Sequence, residues 1–297
     1  MAQALKKEDV KDLLRGITIP SPPQIIADIQ MELAQPDPDM NELAKLISKD
    51  AGLAGSVLKL VNSPYYGGSG NVASIEKAVF MLGLNTVIDI VNTICLKKSF
   101  MDSNKVSDNL YATMIRFWDS ASDVARVCSM VAERINLSPL DQVYTLGLFH
   151  NVGISLMVSK HDNYLDVMRS SYQNFSDRII DLENSEYGTN HAVLGYYTAR
   201  RWKLDPHLCE LIAQHHNTSL FLDIDFSDKK DVKILAALKI AEHIVGLSRV
   251  LGNADEDKEW GLIGENVLLT AGLTEYELEE LVDKAKDLGY GQQQYFS

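Results

Sequence analysis

A succession of helix start signals, each followed by apolar residues at helical spacing, is the feature that most constrains the fold of this chain. Asp39 and Glu42 form a capping box ahead of Leu43, and Thr274 and Glu277 form another near the C-terminal end. Apolar residues three or four positions apart follow each signal, a period typical of amphipathic helices. No segment shows a convincing alternation of apolar and polar residues, the mark of a half-buried strand. The sequence therefore predicts an all-α fold.

Three further residues predict helix starts, and two segments predict loops. Asp50 and Ser74 are expected to cap helices, and Asp205 precedes a proline, which suits the first position of a helix. Residues 218–231 and the acidic stretch 253–259 lack the spacing of a calcium-binding loop. We therefore expect both segments to be loops, with their acidic residues in solvent.

Length and composition indicate one large domain or two tightly joined subdomains. The chain has 297 residues, 46% of them apolar, which is enough to form a substantial core. A polar stretch at residues 102–108 predicts a boundary. We expect an N-terminal helix over residues 1–16, an N-terminal helical subdomain over residues 17–104, a second helical subdomain over residues 105–250 and a C-terminal helical extension over residues 251–297.

The charge balance argues against partners held by bulk electrostatic attraction. The chain carries 28 basic and 41 acidic residues, a net charge of −13, and no basic run exceeds two residues. Nucleic acid and anionic lipid both attract proteins through clustered positive charge. We therefore expect no binding to nucleic acid and none to a membrane surface.

Nothing in the sequence predicts a membrane span or a secretion signal. The most apolar stretch, residues 87–96, is short and is interrupted by Asp89 and Asn92. Residues 1–16 lack the apolar segment of a signal peptide. The three cysteines form no metal-binding pair and are expected to be buried thiols of a reducing compartment. These features predict a soluble, cytoplasmic protein.

Four of the seven histidines lie beside apolar patterns of helical period, namely His150, His191, His215 and His216. Histidines from separate helices can converge in the core of a helical protein, where metal sites are commonly built. His215 and His216 are adjacent, and neighbouring side chains on one helix point about 100° apart. We therefore expect at most one of these two to face a common centre.

Several motifs, in the same order, resemble the HDOD domain, the HD-related output domain of bacterial signalling proteins. The resemblance covers residues 17–246, most of the chain, and its specificity comes from the number of motifs rather than from any one of them. The matching segments are IPSPP (19–23), LAKLISKDAGL (43–53), LVNSPYYG (60–67), SIEKAV (74–79), GLFHNVG (147–153), EYGTNH (186–191) and QHH (214–216).

The resemblance implies an all-helical fold in which an N-terminal bundle packs on a subdomain similar to HD phosphohydrolases. In those enzymes a histidine, an adjacent His-Asp pair and a later aspartate bind a metal that activates water. The matching positions here are Ser120, His150, Asn151 and Glu242. Only His150 keeps its type, and a carboxamide offers a neutral oxygen where the enzymes have a charged one. The resemblance therefore implies a degenerate metal site.

Two interpretations of that site stay open at this point: no cofactor at all, or one divalent metal ion. A residual metal would depend on His150, and the remaining candidates are residues that could hold the ion with it or line a ligand pocket. The metal-ligand candidates are His150, Asn151, His191, His215 and Glu242, and the pocket candidates are Ser120 and His216.

A further motif lies in the first half of the chain. It can be interpreted as the stop of a helix or as a surface that presents two aromatic residues to a partner. The proline forbids continuation of a helix, and each residue has a local backbone reason to be there, so we favour the structural role. Its members are Asn62, Ser63, Pro64, Tyr65, Tyr66 and Gly67.

We expect a non-catalytic module of bacterial signal transduction. It would act through other signalling proteins, present as separate chains because the resemblance uses most of this one, or through a small ligand. One alternative is a metal-dependent phosphohydrolase with an altered ligand set. A weaker alternative is a binding protein for a nucleotide second messenger.

Overall fold

A computed structural model of the chain describes residues 16–62, 72–103, 108–174, 178–222 and 230–291. All regular secondary structure in these ranges is helical, without a strand, so the predicted all-α fold is confirmed. Apart from Gly16, the predicted N-terminal helix lies outside the described residues. Within the described ranges no helix combines the length and the apolar character needed to cross a membrane.

The chain forms two compact units. One comprises residues 20–105, and the other comprises residues 106–297 together with residues 1–19. The division falls inside the polar stretch 102–108. The second unit continues without a break through the residues assigned above to a C-terminal extension.

The first unit contains five helices within the residues that the structure describes. The second of them packs against the first, third and fourth, and the fifth packs against the third and fourth. Their bounds are α1 Gln24–Leu33, α2 Met40–Ser48, α3 Ala51–Val61, α4 Ile75–Leu82 and α5 Leu84–Ser103.

Local side-chain caps start three of these helices. The carboxylate of Asp39 accepts the amide of Asn41 at α2, and that of Asp50 accepts two amides at α3. The hydroxyl of Ser74 accepts the amide of Lys77 at α4. Each bond satisfies a donor that the first turn of a helix leaves without a partner. The caps predicted at Asp50 and Ser74 are confirmed.

Asn62 ends α3 and joins it to the segment ahead of α4. Its amide donates to the carbonyl oxygens of Leu58 and Val72, and its Oδ1 accepts the amide of Val72, each at 2.9 Å. These bonds give Asn62 a structural task in this unit. The rest of the predicted motif, residues 63–67, lies outside the described residues.

The second unit contains twelve helices within the described residues. The long helices α6 and α14 pack on each other, α7 packs against both, α16 packs against α14, and α11 packs between α8 and α12. Their bounds are α6 Asp108–Arg134, α7 Leu140–Phe149, α8 Val152–Lys160, α9 Tyr164–Gln173, α10 Ile180–Tyr187, α11 His191–Arg201, α12 Pro206–Gln214, α13 Ser219–Leu222, α14 Lys230–Val245, α15 Leu247–Gly252, α16 Lys258–Ala271 and α17 Glu275–Asp287.

Two glycines allow the helices around residue 150 to approach closely. A Cβ atom on Gly147 would lie 2.7 Å from the backbone of Ala125 in α6. A Cβ on Gly153 would lie 2.0 Å from the carbonyl oxygen of His191 at the start of α11. No side chain fits at such distances, so the segment that contains His150 is fixed against both neighbouring helices.

The burial of the predicted core residues in this unit agrees with the sequence, whereas that of two predicted loops does not. Trp118 and Trp202 are buried, as predicted, and the three cysteines are buried free thiols. Residues 218–231 are not one loop, because they include α13 and the start of α14. The acidic stretch 253–259 is not wholly solvated either, because Glu259 is buried at the start of α16. The Glu259 carboxylate has two partners in the interior, Lys239 and His216.

Candidate metal centre

Three histidines converge in the interior of the second unit. His191 is the first residue of α11, and His215 and His216 follow the end of α12. The potential ligand atoms of these three residues all lie within 4.8 Å of one another, and each side chain is almost fully buried. A convergence of imidazoles from separate helices is typical of a metal site in a helical protein.

Two rings near this centre are oriented by backbone carbonyl groups. His150 donates from Nδ1 to the oxygen of Gly147 at 2.7 Å, and His215 donates from Nδ1 to the oxygen of Ile212 at 2.7 Å. The proton on Nδ1 leaves Nε2 of a neutral imidazole as a lone pair. This arrangement is the usual preparation of a histidine for binding a metal through Nε2.

Two carboxylates orient the other two rings. Glu183 in α10 accepts Nδ1 of His191 at 2.8 Å and its backbone amide at 2.7 Å. Glu259 in α16 accepts Nδ1 of His216 at 3.2 Å. Carboxylate-to-histidine contacts of this kind fix the ring and raise its strength as a ligand.

Glu183 is fully buried and is held as an anion. Burial opposes its ionisation, but the interaction with His191 and the hydrogen bonds from His191 and Tyr164 outweigh that effect and lower the pKa of Glu183. The Tyr164 hydroxyl donates to it at 2.7 Å. The turn between α10 and α11 also places this carboxylate at the N-terminus of α11, where the helix dipole favours negative charge.

The Nε2 atoms on the other side of these rings face one another or an amide oxygen. Nε2 of His191 lies 3.1 Å from Nε2 of His216, and Nε2 of His215 lies 3.3 Å from Oδ1 of Asn151. Two acceptors at such distances repel unless a proton or a cation lies between them. Burial, followed by the neighbouring histidines and Lys239, lowers the pKa of both His215 and His216 well below the usual range, which favours neutral rings.

His150 is beside this group rather than within it. Its ring contacts that of His215 edge-on, with ring centres 5.3 Å apart. Its Nε2 lies 3.3 Å from Oε1 of Glu242 without the geometry of a hydrogen bond, and finds no other partner among the described residues. Nε2 of His150 is therefore a further potential metal ligand, buried at the edge of the cluster.

A buried lysine occupies the space between the two remaining carboxylates. Nζ of Lys239 lies 2.8 Å from Oε2 of Glu242 and 2.8 Å from Oε2 of Glu259. Burial alone would lower the pKa of Lys239, but the two carboxylates outweigh it and raise that pKa above its usual range. For Glu242, burial is likewise outweighed by Lys239 and His150, so its pKa is lowered. The three side chains form a charged network.

The number and type of ligand atoms at the cluster suit one metal ion. Neutral imidazoles of His191, His215 and His216, with the amide oxygen of Asn151, match the three or four nitrogen and oxygen ligands that a zinc-like ion takes. A second ion would need Glu242 and Glu259, but the ammonium group of Lys239 already lies between them. The residues therefore fit one divalent ion and do not fit two.

The space beside Lys239 is small. A cavity of about 20 Å³ is lined by Lys239, Glu242, Glu259, Tyr172 and Trp260. That volume holds about one water molecule. The ring of Trp260 is stacked on that of His243, with centres 4.2 Å apart. As folded here, this cavity has no room for a phosphoester.

The structure brings together most of the residues singled out from the sequence. His191, His215 and Asn151 meet at the cluster, and His150 and Glu242 lie at its edge. The expectation that only one of His215 and His216 would face a common centre is wrong. Helix α12 ends at Gln214, so the angle between neighbours within a helix does not apply, and the two ring centres lie 4.1 Å apart.

Ser120 was expected to occupy the place of the first metal-binding histidine. It is buried in α6, and its hydroxyl donates to the carbonyl oxygen of Phe117 at 2.7 Å. No contact among the described residues joins Ser120 to the histidine cluster. Its hydroxyl is therefore used within its own helix.

Three charged residues of the site were not predicted from the sequence: Glu183, Lys239 and Glu259. The signal for Lys239 was available, because Lys239 and Glu242 stand three positions apart in an otherwise apolar helix. Glu183 precedes His191 by eight residues across a turn, and Glu259 comes from a distant helix. Neither spacing marks a site before the fold is known.

Fold and site together define an all-helical protein with three histidines clustered in its interior. The profile of the HDOD domain family matches residues 19–218, and the chain belongs to that family. The matched region includes the three clustered histidines and His150, and it ends before Lys239, Glu242 and Glu259.

Solved structures with the same fold include an HDOD domain protein of Geobacter sulfurreducens, with 24% identity, a TM-score of 0.66, and 95% of this chain and 99% of that one covered. A candidate phosphohydrolase of Shewanella amazonensis SB2B has 22% identity and a TM-score of 0.65, with 91% and 90% covered. A candidate signal transduction protein of Marinobacter aquaeolei VT8 has 18% identity and a TM-score of 0.64, with 94% and 59% covered. At these identities the likeness shows the fold.

A curated relative is an uncharacterised protein of Treponema pallidum (strain Nichols), 25% identical over 201 residues. The match covers 67% of this chain and 38% of that protein. The chain therefore matches well under half the length of this relative.

Proposed function

We propose that this chain is a regulatory module that acts by binding and does not hydrolyse phosphoesters. The observation that carries the proposal is the position of Lys239, whose ammonium group lies 2.8 Å from both Glu242 and Glu259. These carboxylates are the anionic groups nearest to the edge of the histidine cluster where His150 lies. The ammonium group of Lys239 therefore occupies the place beside both carboxylates.

Hydrolysis at a site of this type needs an anionic group to hold a second ion or to accept a proton from water. Each oxygen of Glu242 and Glu259 already has a neighbour: Lys239 for both Oε2 atoms, His150 and His216 for the Oε1 atoms. Lys239 cannot accept a proton while its pKa is raised. Both of these carboxylates are thus already held by the lysine through one oxygen.

A single divalent ion would supply a fixed positive charge at the cluster. His191 would bind it from α11, and His215 and His216 from the end of α12, so occupancy would hold these two helices together. Without an ion or a proton, the facing nitrogens of His191 and His216 repel. The cluster therefore links an ion-binding event to helix packing, which is what a regulatory module requires. Its output would pass to other signalling proteins.

A metal-dependent phosphohydrolase is the second candidate. The converging imidazoles favour it, and the Shewanella amazonensis structure with the same fold is described as a candidate phosphohydrolase. The two candidates differ in whether a bound ion is used for turnover.

Hydrolysis of bis-p-nitrophenyl phosphate, measured with Mn²⁺, Zn²⁺ or Mg²⁺, distinguishes them. We expect the wild-type rate to equal that of the His191→Ala variant with each ion. Metal-dependent turnover that is lost in His191→Ala, and kept in a His207→Ala control, would establish the hydrolase instead. His207 is a suitable control because it is exposed and paired with Asp231 outside the cluster.

A further inference from the structure

A second site lies in the same unit, apart from the histidine cluster. It is a cavity of about 370 Å³ between helices α6, α8, α9 and α15. Small-molecule sites generally measure about 300–1,000 Å³, so the volume suits a ligand of modest size. None of its lining residues belongs to the histidine, glutamate and lysine network described above.

The charged residues of the cavity lining are all arginines. Arg116 comes from α6, Arg169 from α9 and Arg249 from α15, and among the described residues no acidic side chain lines the cavity. This is notable in a chain whose net charge is −13. Guanidinium groups from separate helices that face one space are suited to phosphate, because each can donate two parallel hydrogen bonds to its oxygens.

The rest of the lining is largely apolar. Phe117, Ile154, Met168 and Leu251 are buried side chains that contribute to it, and Leu165 is half-buried. A ligand that fits both parts has a flat or apolar body and an anionic group. A nucleotide has this form, with a planar base and one or more phosphates.

The wall that carries two of the arginines is closely packed. A Cβ atom on Gly252 would lie 2.2 Å from the Cβ of Tyr172, so α15 and α9 are in direct contact. The amide of Gln173 donates to the carbonyl oxygens of Gly252 at 3.1 Å and Asn253 at 3.2 Å. Because these bonds and contacts fix α15 against α9, the cavity is a feature of the fold and not a gap between loose side chains.

Two of the arginines, Arg169 and Arg249, already interact with other groups. Arg169 pairs with Asp166 on the same helix at 3.1 Å, and both side chains are largely exposed. Exposed pairs of this kind contribute about 0–1 kcal/mol, so a phosphate can displace the carboxylate. Arg116 is exposed and forms no ion pair within the part of the chain that the structure describes.

We propose that this cavity binds a nucleotide, with the phosphate at Arg116, Arg169 and Arg249 and the base against the apolar lining. The proposal does not depend on the absence of hydrolysis at the histidine cluster. It gives the module a small-ligand input at a site separate from the metal centre.

Isothermal titration of the full chain with AMP, GMP, ATP, GTP and cyclic di-GMP tests the proposal, with adenosine and inorganic phosphate as part-ligands. We expect at least one nucleotide to bind, and to bind more tightly than either part alone. Arg116→Gln and Arg249→Gln should each weaken that binding about tenfold or more, since a hydrogen bond to a charged group contributes on the order of one such factor. Arg200→Gln, an exposed arginine on α11 outside the cavity, should leave it unchanged.

Failure of every nucleotide to bind at about 1 mM overturns the proposal. It is also overturned if binding is kept in both cavity variants, or is lost in His191→Ala while they retain it. Phosphate binding alone, equal in all variants, would likewise contradict it. Metal-dependent hydrolysis that is sensitive to His191→Ala but not to the arginine variants would end the proposed function above and leave this one standing.

Discussion

The Nε2 atoms of His191 and His216 lie 3.1 Å apart in the interior, and each ring is oriented through Nδ1 by a buried carboxylate. Two nitrogens held at that distance need a proton or a cation between them. The same carboxylate that orients His216, Glu259, also binds Lys239. The site therefore contains one position suited to a bound cation, at the histidines, and a second position that the ammonium group of Lys239 occupies.

Replacement of Lys239 by methionine should destabilise the protein strongly. It would leave Glu242 and Glu259 buried without their counter-charge, and breaking a buried ion pair costs about 3–5 kcal/mol. Urea denaturation measures the loss. Lys230→Met, at the exposed start of the same helix, is the control and should change the free energy of unfolding by less than about 0.5 kcal/mol.

The same variant should gain a response to divalent ions. With Lys239 removed, the two carboxylates can bind a cation in its place, so Mn²⁺ should raise the melting temperature of Lys239→Met more than that of the wild type. An equal shift in both proteins would show that the lysine does not occupy a cation position.

Glu183→Gln should weaken metal binding without removing a ligand. The substitution takes away the negative charge that holds Nδ1 of His191, and loss of such a supporting group costs about 10–100-fold in metal affinity. Competition with a chromophoric chelator measures the Zn²⁺ affinity. Tyr164→Phe removes only the hydroxyl that donates to Glu183 and should have a smaller effect. Equal affinity in the wild type and Glu183→Gln would refute the assigned role.

Gly153→Ala should disturb the site from outside it. The added methyl group would lie 2.0 Å from the carbonyl oxygen of His191, so α8 and α11 must move apart. We expect a loss of about 1–3 kcal/mol or more in stability and weaker metal binding. Gly261→Ala is the matched control, because its Cβ would meet nothing within 4 Å in helix α16. That change should stabilise the protein by about 0.4–1 kcal/mol.

The stability of α17 should fall in acid through Glu277. Hydrogen bonds from the backbone and hydroxyl of Thr274 lower the pKa of Glu277, helped by Arg134. A carboxyl group with a lowered pKa stabilises the fold above its unfolded pKa of about 4.3, and that contribution is lost as pH falls through the folded pKa. Melting curves of the wild type and Glu277→Gln should therefore differ at pH 7 and converge near pH 3. Glu279→Gln, on the same helix, should show no such convergence.

Helices with a local start signal could be predicted from the sequence. Asp50, Ser74 and Thr274 each cap a helix with a side chain two or three residues from the amide it accepts, so the signal and its partner stand together in the chain. The Thr274 capping box is formed as predicted, whereas Asp39 caps α2 through the amide of Asn41 rather than by exchange with Glu42. Such contacts do not depend on how the helices pack.

The charges of the site could not be predicted in the same way. Glu259 stands in an acidic stretch that looks like a solvated loop, and it is buried because Lys239 and His216, 20 and 43 residues away, surround it. The joint orientation of His215 and His216 depends on where α12 ends. A sequence shows which residues can carry charge or bind a metal, but burial and partners follow from long-range packing.

The number of metal ions bound per chain tests directly whether the histidine cluster is a site for one ion. The wild type would be loaded with excess Zn²⁺, dialysed without chelator and measured by elemental analysis, alongside His191→Ala and His207→Ala. We expect about one ion per chain in the wild type and in His207→Ala, and a large loss of bound metal in His191→Ala. Two ions per chain, no bound ion, or one ion that survives in His191→Ala would contradict it.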